Sequence, residues 1–310
     1  MKIVCLDAKT LGFDANLDVF KKYGEFVSYD YTANEEAIEK LKDADVVITN
    51  KVLITDEVMA NTNIKLVCIT ATGTNNVDLE AAKKRGVVVK NVAGYSTNSV
   101  TQLTFAGLLY MVNKLNYYDN YVKDGKWAKS EIFTNLDEII TEIGGKKFGI
   151  IGLGTIGRKV ASIAQAFGCE VSYYSTSGKN ANKEYKSVSL NELLKECDII
   201  SIHAPLNENT KNLIDEKELA KLKENAIIMN FGRGGIINEE ALAHAIDNSS
   251  IKAVVDVLET EPMEKNHPFL NIKNKDNILI TPHIAWGSKE ARKTLIDMVA
   301  KNIEDFISSK

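Results

Sequence analysis

Residues 148–157 read Phe-Gly-Ile-Ile-Gly-Leu-Gly-Thr-Ile-Gly, placing a GxGxxG at Gly152, Gly154 and Gly157. Such a pattern alone is common in glycine-rich turns. Here it follows an apolar run and opens a strong helical pattern at Arg158, so it predicts a strand–turn–helix unit. In that context each glycine has a task. Gly152 permits the tight turn, Gly154 lets main chain approach a pyrophosphate, and Gly157 lets helix and strand pack closely. The helix start offers unpaired N–H groups and the positive end of its dipole to the phosphates. A dinucleotide site is the expectation.

The same strand–helix alternation runs almost throughout. Spans 2–7, 26–31, 45–49, 65–71 and 87–91 predict strands, with helical patterns at 34–42 and 78–85; Asn34 and Asp78 are expected N-caps and Gly86 a helix stop. A second set of strands is expected at 147–152, 170–175, 198–203, 226–231, 252–257 and 277–281, with helices at 156–167, 190–196, 216–222, 239–247 and 289–307. One long helix is expected between the sets, at 98–123. Alternation of this kind predicts an α/β protein with parallel sheets covered by helices on both faces. The 310 residues suit two domains at about 100–200 residues each.

Composition narrows the function classes. The hydrophobic fraction of 45% and charged fraction of 26% are those of a globular chain. The net charge of −4 speaks against nucleic acid, which favours a basic face. No apolar run is long enough for a membrane span, and residues 1–7 meet an acid at Asp7 before any signal-like apolar stretch, so a cytoplasmic protein is expected. Cys5, Cys68, Cys169 and Cys197 lie far apart in apolar surroundings and read as buried thiols. His203, His244, His267 and His283 show no metal-ligand spacing, so no metal site is expected.

Chemistry concentrates at three strand ends. Arg occurs only at Arg85, Arg158, Arg233 and Arg292. Arg233 sits among glycines in Asn230-Phe-Gly-Arg-Gly-Gly235, after an apolar strand, which is where open α/β sheets place ligands. A guanidinium there can grip a carboxylate and polarise an adjacent carbonyl. Asp256-Val-Leu-Glu-Thr-Glu-Pro262 brings three acids to the next strand end, and Thr281-Pro-His283 brings an imidazole to the one after. A carboxylate from the one could hold and orient the imidazolium of the other as a general acid–base. After the strand at 170–175, an acid is expected to bind the adenosine ribose. Ser175-Thr-Ser-Gly-Lys179 stands there instead, leaving NAD and NADP both open.

These segments, with Thr72-Gly-Thr-Asn-Asn-Val-Asp78, Asn91-Val-Ala-Gly-Tyr-Ser-Thr97 and Ser201-Ile-His-Ala-Pro-Leu206, give a chain that resembles the D-isomer-specific 2-hydroxyacid dehydrogenases over essentially its full length. Val100-Thr-Gln102 and His283-Ile-Ala-Trp286 look closest to the glycerate dehydrogenase, or hydroxypyruvate reductase, branch. The resemblance implies two doubly wound parallel-sheet domains around a cleft: a flavodoxin-like substrate domain (1–98 plus 287–310) and a Rossmann NAD(P)-binding domain (99–286). It implies reversible reduction of a small 2-oxoacid, hydroxypyruvate or glyoxylate, by NAD(P)H. His283 is then the acid–base, Glu261 its carboxylate partner, and Arg233 the group on the substrate's carboxylate and carbonyl. The amides of Thr72 and Gly73 complete the carboxylate site. Thr155 and Ile156 lie under the pyrophosphate, while His203, Pro205, Phe231 and Asp256 line the adenine and nicotinamide ends. A homodimer through the 98–123 helix is the family expectation.

Two departures stand out: Ser175 replaces the usual ribose acid, and Asn75 replaces an Asp usual in the loop after Gly73. With so short a tail after the last helix, no C-terminal regulatory domain is expected. Two other readings share these features, a dehydrogenase of D-lactate or bulkier 2-hydroxyacids and a dinucleotide-sensing corepressor-like protein. Trp286 would narrow the pocket toward small substrates.

Overall fold

The computed structural model describes residues 1–179 and 182–309. The chain divides into two compact units, Met1–Ser96 with Trp286–Lys310, and Thr97–Ala285.

The first unit is built on five strands, β1 (Lys2–Cys5), β2 (Glu25–Ser28), β3 (Val46–Thr49), β4 (Leu66–Ile69) and β5 (Val88–Lys90). All pair in parallel, in the order β2-β1-β3-β4-β5, the flavodoxin-like arrangement. Every residue of β3 and β4 is buried, which explains why they read as unbroken apolar runs rather than as alternation. Helices α1 (Ala37–Leu41), α2 (Asp56–Ala60) and α3 (Leu79–Arg85) connect them. Asp78 caps α3 by accepting from Ala81 N–H at 2.9 Å, and Gly86 ends it at φ +71°. Asn34, by contrast, caps nothing: its Oδ1 accepts the Leu53 N–H at 3.0 Å, and the helix entry is closed by Glu36 on Ala33 N–H. A nearby loop donor outcompeted the local cap. The C-terminal helix (Lys289–Ser308) lays Leu295, Val299 and Ile303 on Ile3, Cys5, Ile48 and Leu66 of the sheet. Each such buried aliphatic contributes about 1.5–3 kcal/mol relative to exposure.

In the second unit the expected long helix is two: α4 (Thr97–Val112) and α5 (Leu115–Lys123). The apolar face ends at Met111 and Val112. Asn113 then turns its side-chain amide back to Leu109 O at 2.9 Å, and Lys114 takes a left-handed φ of +52°. No residue of α5 is buried, so no packing face demanded that the helix continue. Seven strands follow: β6 (Lys147–Ile151), β7 (Glu170–Tyr174), β8 (Lys186–Ser187), β9 (Ile199–Ile202), β10 (Ile227–Asn230), β11 (Lys252–Val255) and β12 (Ile278–Ile280). They are parallel, in the order β12-β11-β10-β9-β6-β7-β8. Helices α6 (Thr155–Ala166), α7 (Leu190–Glu196), α8 (Glu216–Leu219) and α9 (Glu239–Asn248) lie between strands in sequence. The chain steps from β6 out to β8, then returns beside β6 with β9. The strand order therefore reverses at the β6–β9 boundary, the kind of crevice where doubly wound sheets bind ligands.

All four cysteines are buried and unpaired, and burial pushes the Cys5 and Cys68 thiols up to about 12. Among the described residues no helix is long and apolar enough to cross a membrane.

Candidate active site

The glycine turn follows β6. Gly152 has φ +92°, and an added Cβ there would lie 2.8 Å from Ala204 N. A Cβ on Gly157 would lie 2.3 Å from Gly152 O, whereas one on Gly154 would meet nothing within 4 Å. Two glycines are thus required by the fold, and the middle one leaves its face open. The helix ladder starts with Arg158 N–H on Gly154 O at 2.9 Å. The amides of Thr155, Ile156 and Gly157 precede it and have no intrahelical partner. Arg158 itself is spent locally, on Leu153 O at 3.0 Å.

Two buried polar atoms at flanking strand ends fit a dinucleotide. Beyond β7, the Ser175 hydroxyl is buried with no hydrogen-bond partner among the described residues. Beyond β9, the same holds for His203 Nδ1. Unpartnered buried polar atoms are costly and rare, and a bound polar ligand would satisfy both. His203 Nε2 lies 2.8 Å from Ser201 Oγ, and its ring stacks on Phe231 with centroids 6.4 Å apart. Burial pushes its pKa down to about 3, so it is neutral at any working pH. Pro205 is exposed, and its carbonyl accepts from Thr210 Oγ1 at 2.7 Å. Of the segment after Ser175, residues 180 and 181 lie outside the described residues.

Arg233 is set by a residue that the sequence reading passed over. Asn230, the last residue of β10, accepts from Gly232 N–H at 3.1 Å and donates to Arg233 O at 2.9 Å. The turn is thereby closed and Arg233 is exposed. Its Nη1 donates to Gly232 O at 2.8 Å, and among the described residues it has no ion pair. The other arginines are committed: Arg85 to Asp56, Arg292 to Asp14, and Arg158 as above.

His283 Nδ1 lies 2.6 Å from Glu261 Oε2, short enough for a charge-assisted bond. Glu261 Oε1 accepts the Leu258 N–H at 3.0 Å. Nε2 of His283 has no hydrogen-bond partner among the described residues, and the side chain is 28% exposed. The residue holds φ +53°, a region costly for a side chain other than glycine and maintained only by its surroundings. Asp256 provides them. Its main-chain O accepts from His283 N–H at 2.8 Å. Its carboxylate accepts from Thr281 Oγ1 at 2.6 Å, Ile284 N–H at 2.9 Å and Ala285 N–H at 3.0 Å. Asp256 is 2% exposed, and burial raises its pKa against the pull of those donors. Its carboxylate thus faces the histidine loop.

Asp256→Ala should strip three donors of their acceptor, at about 1–3 kcal/mol for each one left buried and unpaired. A urea titration is expected to show a lower midpoint with an unchanged slope. An unaltered midpoint would remove the carboxylate as the loop's anchor.

In the first unit, Thr72 and Gly73 follow β4. Thr72 Oγ1 donates to Val92 O at 3.0 Å, and Asn91 Nδ2 donates to Thr72 O at 2.6 Å. No internal partner takes up either main-chain N–H among the described residues. Trp286 is half-buried in the same unit, edge-on to Tyr95 at 6.2 Å. Among the described residues no cluster of His, Cys, Asp or Glu has the arrangement of a metal site.

Comparison with known proteins agrees with this geometry. Residues 105–285 match the family described as D-isomer specific 2-hydroxyacid dehydrogenase, NAD binding domain. Hydroxypyruvate reductase of Blautia hydrogenotrophica is 38% identical, the match covering 99% of this chain and 97% of that protein. Glycerate dehydrogenase of Methylorubrum extorquens is 36% identical, covering 100% and 97%. Among solved structures, an acyclic imino acid reductase in complex with NADPH and D-Arg is similar at a TM-score of 0.87 and 30% identity, covering 100% of this chain and 98% of that one. The chain belongs to the D-isomer-specific 2-hydroxyacid dehydrogenases and is an NAD(P)-binding oxidoreductase.

Proposed function

We propose that this enzyme reversibly reduces a small 2-oxoacid, hydroxypyruvate or glyoxylate, to the D-2-hydroxyacid, with His283 as acid–base. The observation that carries the reading is the contrast between two histidines. His203 is kept neutral by burial. His283 has one nitrogen on a carboxylate and the other open. Only the second can carry a proton out to a substrate oxygen. Relatives named for hydroxypyruvate and glycerate support the substrate class.

Arg233 binds the substrate carboxylate. Its guanidinium has five N–H donors, and the contact to Gly232 O leaves a fork free for bidentate binding. In the first unit, the unused main-chain amides of Thr72 and Gly73 suit an anion. The bound nicotinamide supplies the hydride in reduction and accepts it in oxidation. The amides at the start of α6 hold the pyrophosphate, and Ser175, His203 and Phe231 meet the nucleotide. His283 Nε2–H donates its proton to the oxygen that becomes the alkoxide, and Glu261 stabilises the imidazolium before transfer. In the oxidative direction His283 Nε2 takes the hydroxyl proton back.

The decisive measurement is loss of NAD(P)H absorbance over a set of small 2-oxoacids with each cofactor. Hydroxypyruvate or glyoxylate is expected to give the highest kcat/KM. A protein that binds NADH or NADPH yet oxidises neither with any 2-oxoacid would overturn the reading. With Ser175 in place of an acid nothing repels a 2′-phosphate, so NADPH is expected to serve. Ser175→Asp should then lower kcat/KM for NADPH more than for NADH, and an unchanged ratio would remove Ser175 from the ribose site.

The four unpaired thiols suit a reducing compartment, which supports the cytoplasm. Trp127, Ile132, Phe133, Leu136 and Ile139 are each at least half exposed. So many apolar side chains within one short segment support a homodimer contact there, beyond α5 rather than on the 98–123 span alone.

A further inference from the structure

The mechanism leaves one buried polar pair without a task. His267 is 5% exposed, and its Nε2 lies 2.8 Å from Glu239 Oε2. Its Nδ1 accepts the Phe269 N–H at 3.2 Å. A main-chain N–H can only donate, so Nδ1 is bare and Nε2 carries the proton given to Glu239. Glu239 is the first residue of α9, and its other oxygen, Oε1, accepts the Glu259 N–H at 2.7 Å. Every heteroatom of the two side chains is engaged, as burial of such a pair demands.

The third bond points at the active site. Glu259 lies two residues before Glu261, in the turn where Leu258 N–H donates to Glu261 Oε1. The far side of that turn presses on the Arg233 turn: a Cβ added to Gly234 would lie 1.9 Å from the Leu258 carbonyl carbon and 2.3 Å from Glu259 N. The 258–261 turn is therefore held by contact from the arginine side and by a hydrogen bond from Glu239. His267 fixes the direction of the Glu239 carboxylate that makes this bond.

We propose that Glu239 and His267 are positioning residues, which hold the 258–261 turn so that the Glu261 carboxylate stays on Nδ1 of His283. The inference rests on the reading of His283 and Glu261 as the acid–base pair.

A double-mutant cycle tests it, with kcat for 2-oxoacid reduction measured at saturating cofactor across pH for Glu239→Ala, Glu261→Ala and the combination. Glu239→Ala is expected to lower kcat about tenfold, with KM for the cofactor little changed. In the Glu261→Ala background it should cost less than about twofold more, since residues acting through one contact are not additive. Its pH profile should move in the same direction as that of Glu261→Ala. Two results overturn the proposal: a full further tenfold loss in the Glu261→Ala background, or a lower unfolding midpoint with wild-type kcat and pH profile. A wild-type kcat for Glu261→Ala alone would instead overturn the acid–base reading. Glu239→Gln covers the case in which the alanine variant does not fold. It keeps an acceptor for only one of its two donors, so an intermediate loss is expected. Wild-type kcat and pH profile in both Glu239→Gln and His267→Gln would end the proposal.

Discussion

His283→Ala is expected to lower kcat for 2-oxoacid reduction by at least about 10²-fold, the usual weight of a positioned acid–base. The reasoning is local. The imidazole is tied to Glu261 at 2.6 Å through one nitrogen, so its other nitrogen is directed rather than free to rotate, and no neighbouring histidine can substitute. His203 is the only other imidazole at a strand end of this sheet that the sequence nominated, and burial holds it neutral. Cofactor affinity should be nearly unchanged, because His283 is not among the residues assigned to the nucleotide. Fluorescence titration with NADH or NADPH checks that point, and stopped-assay kinetics check the rate. A purified variant that binds cofactor and turns over near the wild-type rate would exclude His283 as the proton donor.

Arg233→Ala is expected to raise KM for the 2-oxoacid by about 10²-fold or more. A bidentate bond to a charged carboxylate is among the stronger polar contacts, at about 1.5–3 kcal/mol for each hydrogen bond to a charged group. Loss of kcat should accompany it, since the same group orients the carbonyl. Arg233→Lys should recover only part, because an ammonium cannot reproduce the planar fork. The structure makes this variant unusually clean. Among the described residues Arg233 makes no ion pair, and its turn is closed by the Asn230 side chain on main-chain atoms. The unfolding midpoint is therefore expected to stay close to wild type. Unchanged KM and kcat would take Arg233 out of the site, and a large drop in midpoint would contradict the reading of its turn.

Much of this was legible from residue order, for physical reasons. Strands buried on both faces leave unbroken apolar runs, and the helices between them leave a different period, so β3, β4, β9 and β10 were visible at once. The glycine turn was legible because two of its glycines answer steric demands that no other residue meets. What remained hidden was mostly partnership across the chain. Asn34 has the chemistry of a cap, yet a donor nineteen residues away claimed it. The break at Lys114 follows from the absence of a packing face beyond Val112, and exposure is not written in a helical period. Asp256 was noticed as an acid at a strand end, but its duty to the 281–285 loop depends on a register that pairs β11 with β12. Asn230 and the His267–Glu239 pair were missed for the same reason. A polar residue after an apolar strand is the signal that could have marked Asn230; nothing in the local sequence marks a contact between residues 239 and 267.

The absence of a side chain at Gly234 bears on how this enzyme's selectivity could be redesigned. Even a single methyl would collide with the peptide following Leu258, so the loop that carries Arg233 has no latitude to slide or tilt. Laboratory evolution toward longer or branched acids should accordingly leave residues 232–235 intact and accumulate its changes in segments whose main chain has somewhere to go.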